Sequence, residues 1–117
     1  MNEKELALKA VKILDDKKAE DLRLFHIEEH TVIADYFVVA TGTSSTHVKA
    51  LADEVEYELS KLGVEVDHIE GRATGWILLD YGTVIVHVFS KESRDFYNLE
   101  RLWADAPEED ISDLLTD

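Results

Sequence analysis

The chain has 117 residues, 45% of them hydrophobic and 32% charged, with one proline, five glycines and no cysteine. This is the composition of one globular domain, and it excludes a disulfide scaffold, a thiolate metal site and a cysteine nucleophile. Asp and Glu number 26 against 12 Lys and Arg, so a net charge of -14 repels phosphate backbones, argues against direct nucleic-acid binding and favours a basic partner.

The opening "MNEKELALKA" lacks a signal-peptide core, and no apolar run reaches the roughly 20 residues of a membrane helix, so a soluble cytoplasmic protein without membrane contact is expected. From Glu5 to Lys17, Leu6, Ala7, Ala10, Val11, Ile13 and Leu14 recur at three- and four-residue spacing, which predicts an amphipathic helix. "DLRLFHI" alternates, with Leu22, Leu24 and His26 opposite Arg23, Phe25 and Ile27, and predicts a strand followed by a turn at "EEHT". "DYFVVATG" is apolar on both faces, the signature of a strand at the centre of a sheet.

In "TGTSSTHVKALADEVEYELSKLG" the hydroxyls of Thr43 to Thr46 can cap a helix whose buried stripe is Val48, Leu51, Ala52, Val55, Leu59 and Leu62, with Gly63 as a left-handed stop. "VEVDHI" alternates as a third strand, and "EGRATG" is a loop. "WILLD" and "VIVHVF" form a hairpin turning through Asp80 to Thr83, where Gly82 can adopt positive φ. Ser90 or Ser93 then caps a last helix that buries Phe96, Leu99, Leu102 and Trp103 and stops before Pro107. The expected fold class is α+β, or mixed α/β: a five-stranded mixed sheet with three helices in the order αββαβββα. Residues 1–107 form the domain, and 108–117 an acidic, flexible tail.

The hairpin carries the functional question. Ile77, Leu79, Val84, Val86 and Val88 point to one face, and Trp76, Leu78, Asp80, Ile85, His87 and Phe89 to the other, so both faces are substantially apolar. Either a helix covers the second face or a partner does. Trp76, Tyr81 and Asp80 together have the character of interface anchors, because Trp and Tyr carry a disproportionate share of binding energy.

An enzyme is the rival reading. A "TGTSS" loop before a helix, Glu65 and Asp67 two apart, and His87 have the layout of a metal-dependent nucleotidyltransferase in which Ser44 meets phosphate and the acids share a cation. His87 stands where a further carboxylate is needed, and Lys49 is the only nearby cation for a triphosphate, so a capped helix and two solvent-facing acids explain the pattern more simply. His26, His30, His47, His68 and His87 have no metal-ligand spacing, and Ser44, His47 and Asp53 lack a nucleophile elbow. No metal or other cofactor is expected.

The blocks "ADYFVVATGTSSTHV", "GWILLDYGTVIVHVF" and "SRDFYNLERLWADAP" closely resemble the ribosomal silencing factor, or Iojap, family over residues 1 to 107. The resemblance implies a nucleotidyltransferase-like fold without catalytic residues. It also implies a protein that binds a ribosomal protein on the intersubunit face of the large subunit. There it blocks joining of the small subunit and lowers translation when nutrients are scarce. A homodimer is implied for the free protein. Carried onto this chain, the partner-binding residues are Trp76, Leu79, Asp80 and Tyr81 at the hairpin and Arg94 and Tyr97 on the last helix. The family pattern has Asp after "LDYG", where this chain has Thr83.

Overall fold

A computed structural model describes residues 1–27, 34–71, 75–103 and 106–115, the side chains of 102 and 103 excepted. In chain order the elements are α1 (Glu3–Asp16), β1 (Glu20–His26), β2 (Tyr36–Gly42), α2 (Ser45–Lys61), β3 (His68–Glu70), β4 (Trp76–Asp80), β5 (Val84–Ser90), α3 (Lys91–Tyr97), a 3-10 turn (Leu99–Trp103) and β6 (Glu108–Glu109). The six strands form one sheet in the order β3-β4-β5-β2-β1-β6. β2 and β5 are parallel and central, and the other pairings are antiparallel. This bears out the mixed α+β class, with one strand more than expected.

Parity divides the interior into two layers. α1 and α2 cover one face, where Val11, Leu14, Val48, Leu51, Val55 and Leu59 pack on Leu24, Val38, Ile77, Leu79, Val86 and Val88. On the opposite face Phe25, Ile27, Phe37, Val39, Ile85 and Phe89 form a second cluster, against which Trp76, Leu78 and Leu99 pack while half-buried. β2 is buried at all seven positions because it lies between two strands and has apolar packing on both faces.

Local signals set the element ends. Asn2 and Glu5 form a capping box at the start of α1, and Ser44 Oγ accepts from the His47 amide at 3.1 Å to start α2. Gly63 and Gly82 take the positive φ that their turns require, 85° and 84°. No helix among the described residues is long and apolar enough to cross a membrane.

Four expectations are corrected. The strand expected over "VEVDHI" shrinks to His68–Glu70, because His68 already pairs with Asp80 at the end of β4 and residues 64–66 have no strand opposite them. Alternation fails there too: Val64, Val66 and Ile69 all pack against the helix-side core. Leu62, placed in the buried stripe of α2, is its exposed C-cap. The last helix ends at Tyr97, where Asn98 turns left-handed (φ 44°, ψ 51°), and Phe96, expected on the buried side, is 80% exposed. Beyond Pro107, the acidic segment adds the strand pairing Leu24 with Glu109 and Phe25 with Glu108, and it buries Ile111 in the helix-side core. The turn expected at "EEHT", residues 28–31, and the centre of the "EGRATG" loop lie outside the described residues.

Candidate functional site

The second face of the sheet is where the molecule's aromatic residues meet. β4 starts beside the end of β5, with Trp76 opposite Phe89 and Leu78 opposite His87. The Trp76 ring stacks on Phe89 with centroids 5.1 Å apart and planes 24° apart, and its Nε1–H donates to His87 Nδ1 at 3.2 Å. Directly after β5 the chain caps α3 with Ser90, whose Oγ accepts from the Ser93 amide at 3.1 Å. α3 thereby brings Tyr97 to 5.0 Å from Trp76, and Phe96 lies edge-on to Tyr97 at 5.1 Å.

A cleft of about 320 Å³ runs along this cluster, lined by Glu70, Gly71, Gly75, Trp76, Leu78, Ser93 and Tyr97. Gly75 is needed for the close approach: a Cβ there would lie 2.8 Å from Ser90 Oγ and closer still to Ser93 Oγ, on the cap that starts α3. Tyr97 is 51% exposed and Phe96 more so, so this apolar surface is open to solvent at its outer edge.

The six residues named from the sequence separate into two sets. Trp76 and Tyr97 come together at the exposed cluster. Leu79 is fully buried under α1 and α2. Asp80 is half-buried and holds the hairpin, its Oδ1 accepting from the Gly82 amide at 2.7 Å. Tyr81 is 8% exposed and belongs to the helix-side core, and its hydroxyl has no hydrogen-bond partner among the described residues. Burial first, then the charges of Glu56 and Glu65, push its phenol well above the ordinary tyrosine value. The oily surface expected around Tyr81 therefore lies at the other end of β4, around Trp76.

Arg94 is 6% exposed and ties α3 to the sheet. Its Nε and Nη2 donate to the Glu100 carboxylate at 3.3 and 3.2 Å, and Nη1 donates to Thr41 Oγ1 at 2.8 Å and to the Asp21 carbonyl. Asp21, at φ 44°, lies where the β1–β2 register shifts between Glu20 and Arg23. The irregularity turns its carbonyl toward the guanidinium instead of into the ladder.

Leu78 belongs to the apolar face that the sequence predicts with Trp76, though not to the partner-binding set implied by the resemblance, whereas the exposure of Phe96 and the contact of His87 with Trp76 have no signal in residue spacing.

The nucleotidyltransferase constellation is not assembled. Ser44 lies at the start of α2 and Glu65 beyond its end, so the length of a 17-residue helix, roughly 25 Å, separates them. Glu65 Oε1 accepts from Ser60 Oγ at 2.8 Å, and His87 belongs to the opposite face of the sheet. Among the described residues no three His, Asp or Glu side chains are grouped to hold a metal ion.

Comparison with known proteins agrees with the fold. Residues 1–117 match the family model described as "Ribosomal silencing factor during starvation". Ribosomal silencing factor RsfS of Bacillus subtilis (strain 168) is 41% identical over 112 residues, which span 95% of this chain and 95% of that protein. A crystal structure of a Chromobacterium violaceum protein superposes with a TM-score of 0.86 at 36% identity, covering 89% of this chain and 88% of that one. A mouse relative, "Mitochondrial assembly of ribosomal large subunit protein 1", is 31% identical over 97 residues, 80% of this chain and 42% of its own. The chain belongs to the ribosomal silencing factor family.

Proposed function

We propose that this protein silences translation by docking on the large ribosomal subunit through the surface formed by Trp76, Leu78, Phe96 and Tyr97, and that its bulk then keeps the small subunit from joining. The observation that carries the reading is the aromatic edge of the second face: Phe25, Phe37, Ile85 and Phe89 are buried there, whereas Trp76 and Leu78 are half-buried and the adjoining Phe96 and Tyr97 are exposed. α1 and α2 seal the first face, whereas α3 is only seven residues long and leaves two aromatic side chains in water. A monomer gains nothing from exposing such a surface, and interface cores are enriched in aromatic anchors of this kind.

Two further points support it. Relatives carry the name ribosomal silencing factor, and the name of the mouse relative contains the large ribosomal subunit. The net charge of -14 favours a basic ribosomal protein on the intersubunit face over ribosomal RNA, since like charge repels the phosphate backbone and opposite charge steers encounter. Nutrient limitation, named in the family description as starvation, is the condition for this activity.

In this reading Trp76 and Tyr97 make contact, while Leu79, Asp80, Tyr81 and Arg94 act from within by holding β4, the hairpin and α3 in place. A second copy covers the same surface in the free protein, giving a homodimer. Cosedimentation with isolated subunits is the test. Retention by large subunits and not by small ones is expected, and equal retention by both, or by neither, contradicts the reading.

A further inference from the structure

His87 is placed where an aromatic or aliphatic side chain would serve packing better. It lies in the middle of β5, 3% exposed, with Phe37 edge-on at 4.7 Å and Phe89 beyond it. Among the described residues its ring meets one polar group, the indole N–H of Trp76. An indole nitrogen only donates, so the imidazole nitrogen facing it carries no proton and the proton resides on Nε2. That Nε2–H is buried and has no hydrogen-bond partner among the described residues. A phenylalanine would spare the buried Nε2–H but would take away the acceptor of the Trp76 indole N–H, so what histidine adds to packing at this position is that acceptor.

What histidine adds is a choice between the two edges of Trp76. The indole stacks face to face on Phe89 and meets Tyr97 at a tilt of 49°, and neither ring contact involves a hydrogen bond to the indole N–H. The terminal torsion of tryptophan is broad and nearly two-fold, so the torsion itself leaves two indole orientations open, which exchange the N–H edge for the edge of the six-membered ring. The bond to Nδ1 distinguishes the two orientations. His87 is suited to make it because it pairs with Leu78, diagonal to Trp76, on the shared face of the two strands.

We propose that His87 is a positioning residue: it fixes which edge of the Trp76 indole is held against the sheet and which is offered to the docking partner. The proposal rests on the docking reading above and adds to it a residue that does not itself touch the partner. Pre-ordering of an anchor removes an ordering cost from association, so its loss is read as weaker binding without loss of fold.

The test uses uniformly 15N-labelled full-length protein, whose two tryptophans give two indole N–H resonances, with Trp103→Phe used to assign them. In His87→Phe the Trp76 indole resonance is expected to move and to exchange faster with solvent, while the backbone spectrum stays folded. Affinity for isolated large subunits should fall about tenfold, the size of one lost hydrogen bond. His87→Asn, which places a carbonyl oxygen near the position of Nδ1, should recover most of both properties. An unmoved indole resonance in folded His87→Phe overturns the proposal. So does a moved resonance with unchanged affinity, provided Trp76→Ala weakens binding. If Trp76→Ala binds large subunits as tightly as the parent protein, the docking reading itself fails, and that outcome is distinct from either of the others.

Discussion

Trp76 and Tyr97 lie with ring centroids 5.0 Å apart, although one belongs to the fourth strand and the other to the last turn of α3. Their meeting depends on Ser90 starting α3 at once after β5, on Gly75 leaving room for that start, and on Arg94 clamping the helix to Thr41 and Asp21. An exposed aromatic pair is thus held by buried polar chemistry. The substitutions below separate the contact from its support.

Tyr97→Ala removes a side chain that is half in water, so folding stability should change by no more than about 0.5 kcal/mol. Binding to large subunits should weaken by about 2 kcal/mol, as expected for an aromatic anchor near the centre of an interface. Thermal unfolding and cosedimentation measured on the same preparation separate the two effects.

Arg94→Met should act in the reverse order. It takes the two-point partner from the partly exposed Glu100 carboxylate and removes the donor to the buried Thr41 hydroxyl and to the Asp21 carbonyl, a loss of about 2 kcal/mol. Urea unfolding should show that loss. Any fall in ribosome binding should be recovered at lower temperature, where the variant is folded.

Tyr81→Phe deletes a buried hydroxyl that bonds to nothing among the described residues. Stability should stay level or rise by up to about 1 kcal/mol, since no hydrogen bond is lost and a polar group is no longer buried. Large-subunit affinity should be unchanged. A marked loss of binding in a stable Tyr81→Phe protein would return the hairpin tip to the docking surface.

The pH dependence of stability has a predictable sign. Burial lowers the His87 pKa from 6.5 to about 3, so between those values the unfolded chain holds a proton on this residue that the folded chain does not. Stability therefore falls as pH drops below about 6.5, by at most about 1.4 kcal/mol per pH unit from this group. His68 has the opposite sign: its hydrogen bond with Glu70, then the Glu70 charge, raise its pKa, and the stabilisation is lost as pH climbs through the raised value. Denaturant midpoints at pH 7.5, 6 and 5 should converge less steeply in His87→Phe than in the parent chain.

Much of the architecture could be read from side-chain spacing. Leu6 to Leu14 and Val48 to Leu59 mark two helices because burial repeats every three or four residues there, and β2 announces its central place by being apolar throughout. The break at Asn98 could not be read, because a residue that turns left-handed differs from a helical one in backbone angle and not in hydrophobicity. Phe96, within the helix before that break, is exposed where the spacing predicts core. The two faces of the hairpin were assigned correctly, yet tandem residues such as Asp80 and Tyr81 were assigned one surface, although adjacent strand positions project oppositely. Arg94 enters the partner-binding set through the family resemblance, and its structural partners Thr41 and Asp21, 53 and 73 positions away, are not visible in the sequence.

Subunit joining is the most direct measurement of the proposed role. Purified large and small subunits are mixed under associating conditions and resolved on sucrose gradients with no addition, with the parent protein at the lowest concentration that saturates, and with Tyr97→Ala at that limiting concentration. The expected result is separate subunits with the parent protein and restored whole ribosomes with Tyr97→Ala. Undiminished whole ribosomes in the presence of the saturating parent protein would contradict the exclusion of the small subunit. Equal separation by the Tyr97→Ala protein at limiting concentration would contradict the aromatic surface as the docking site.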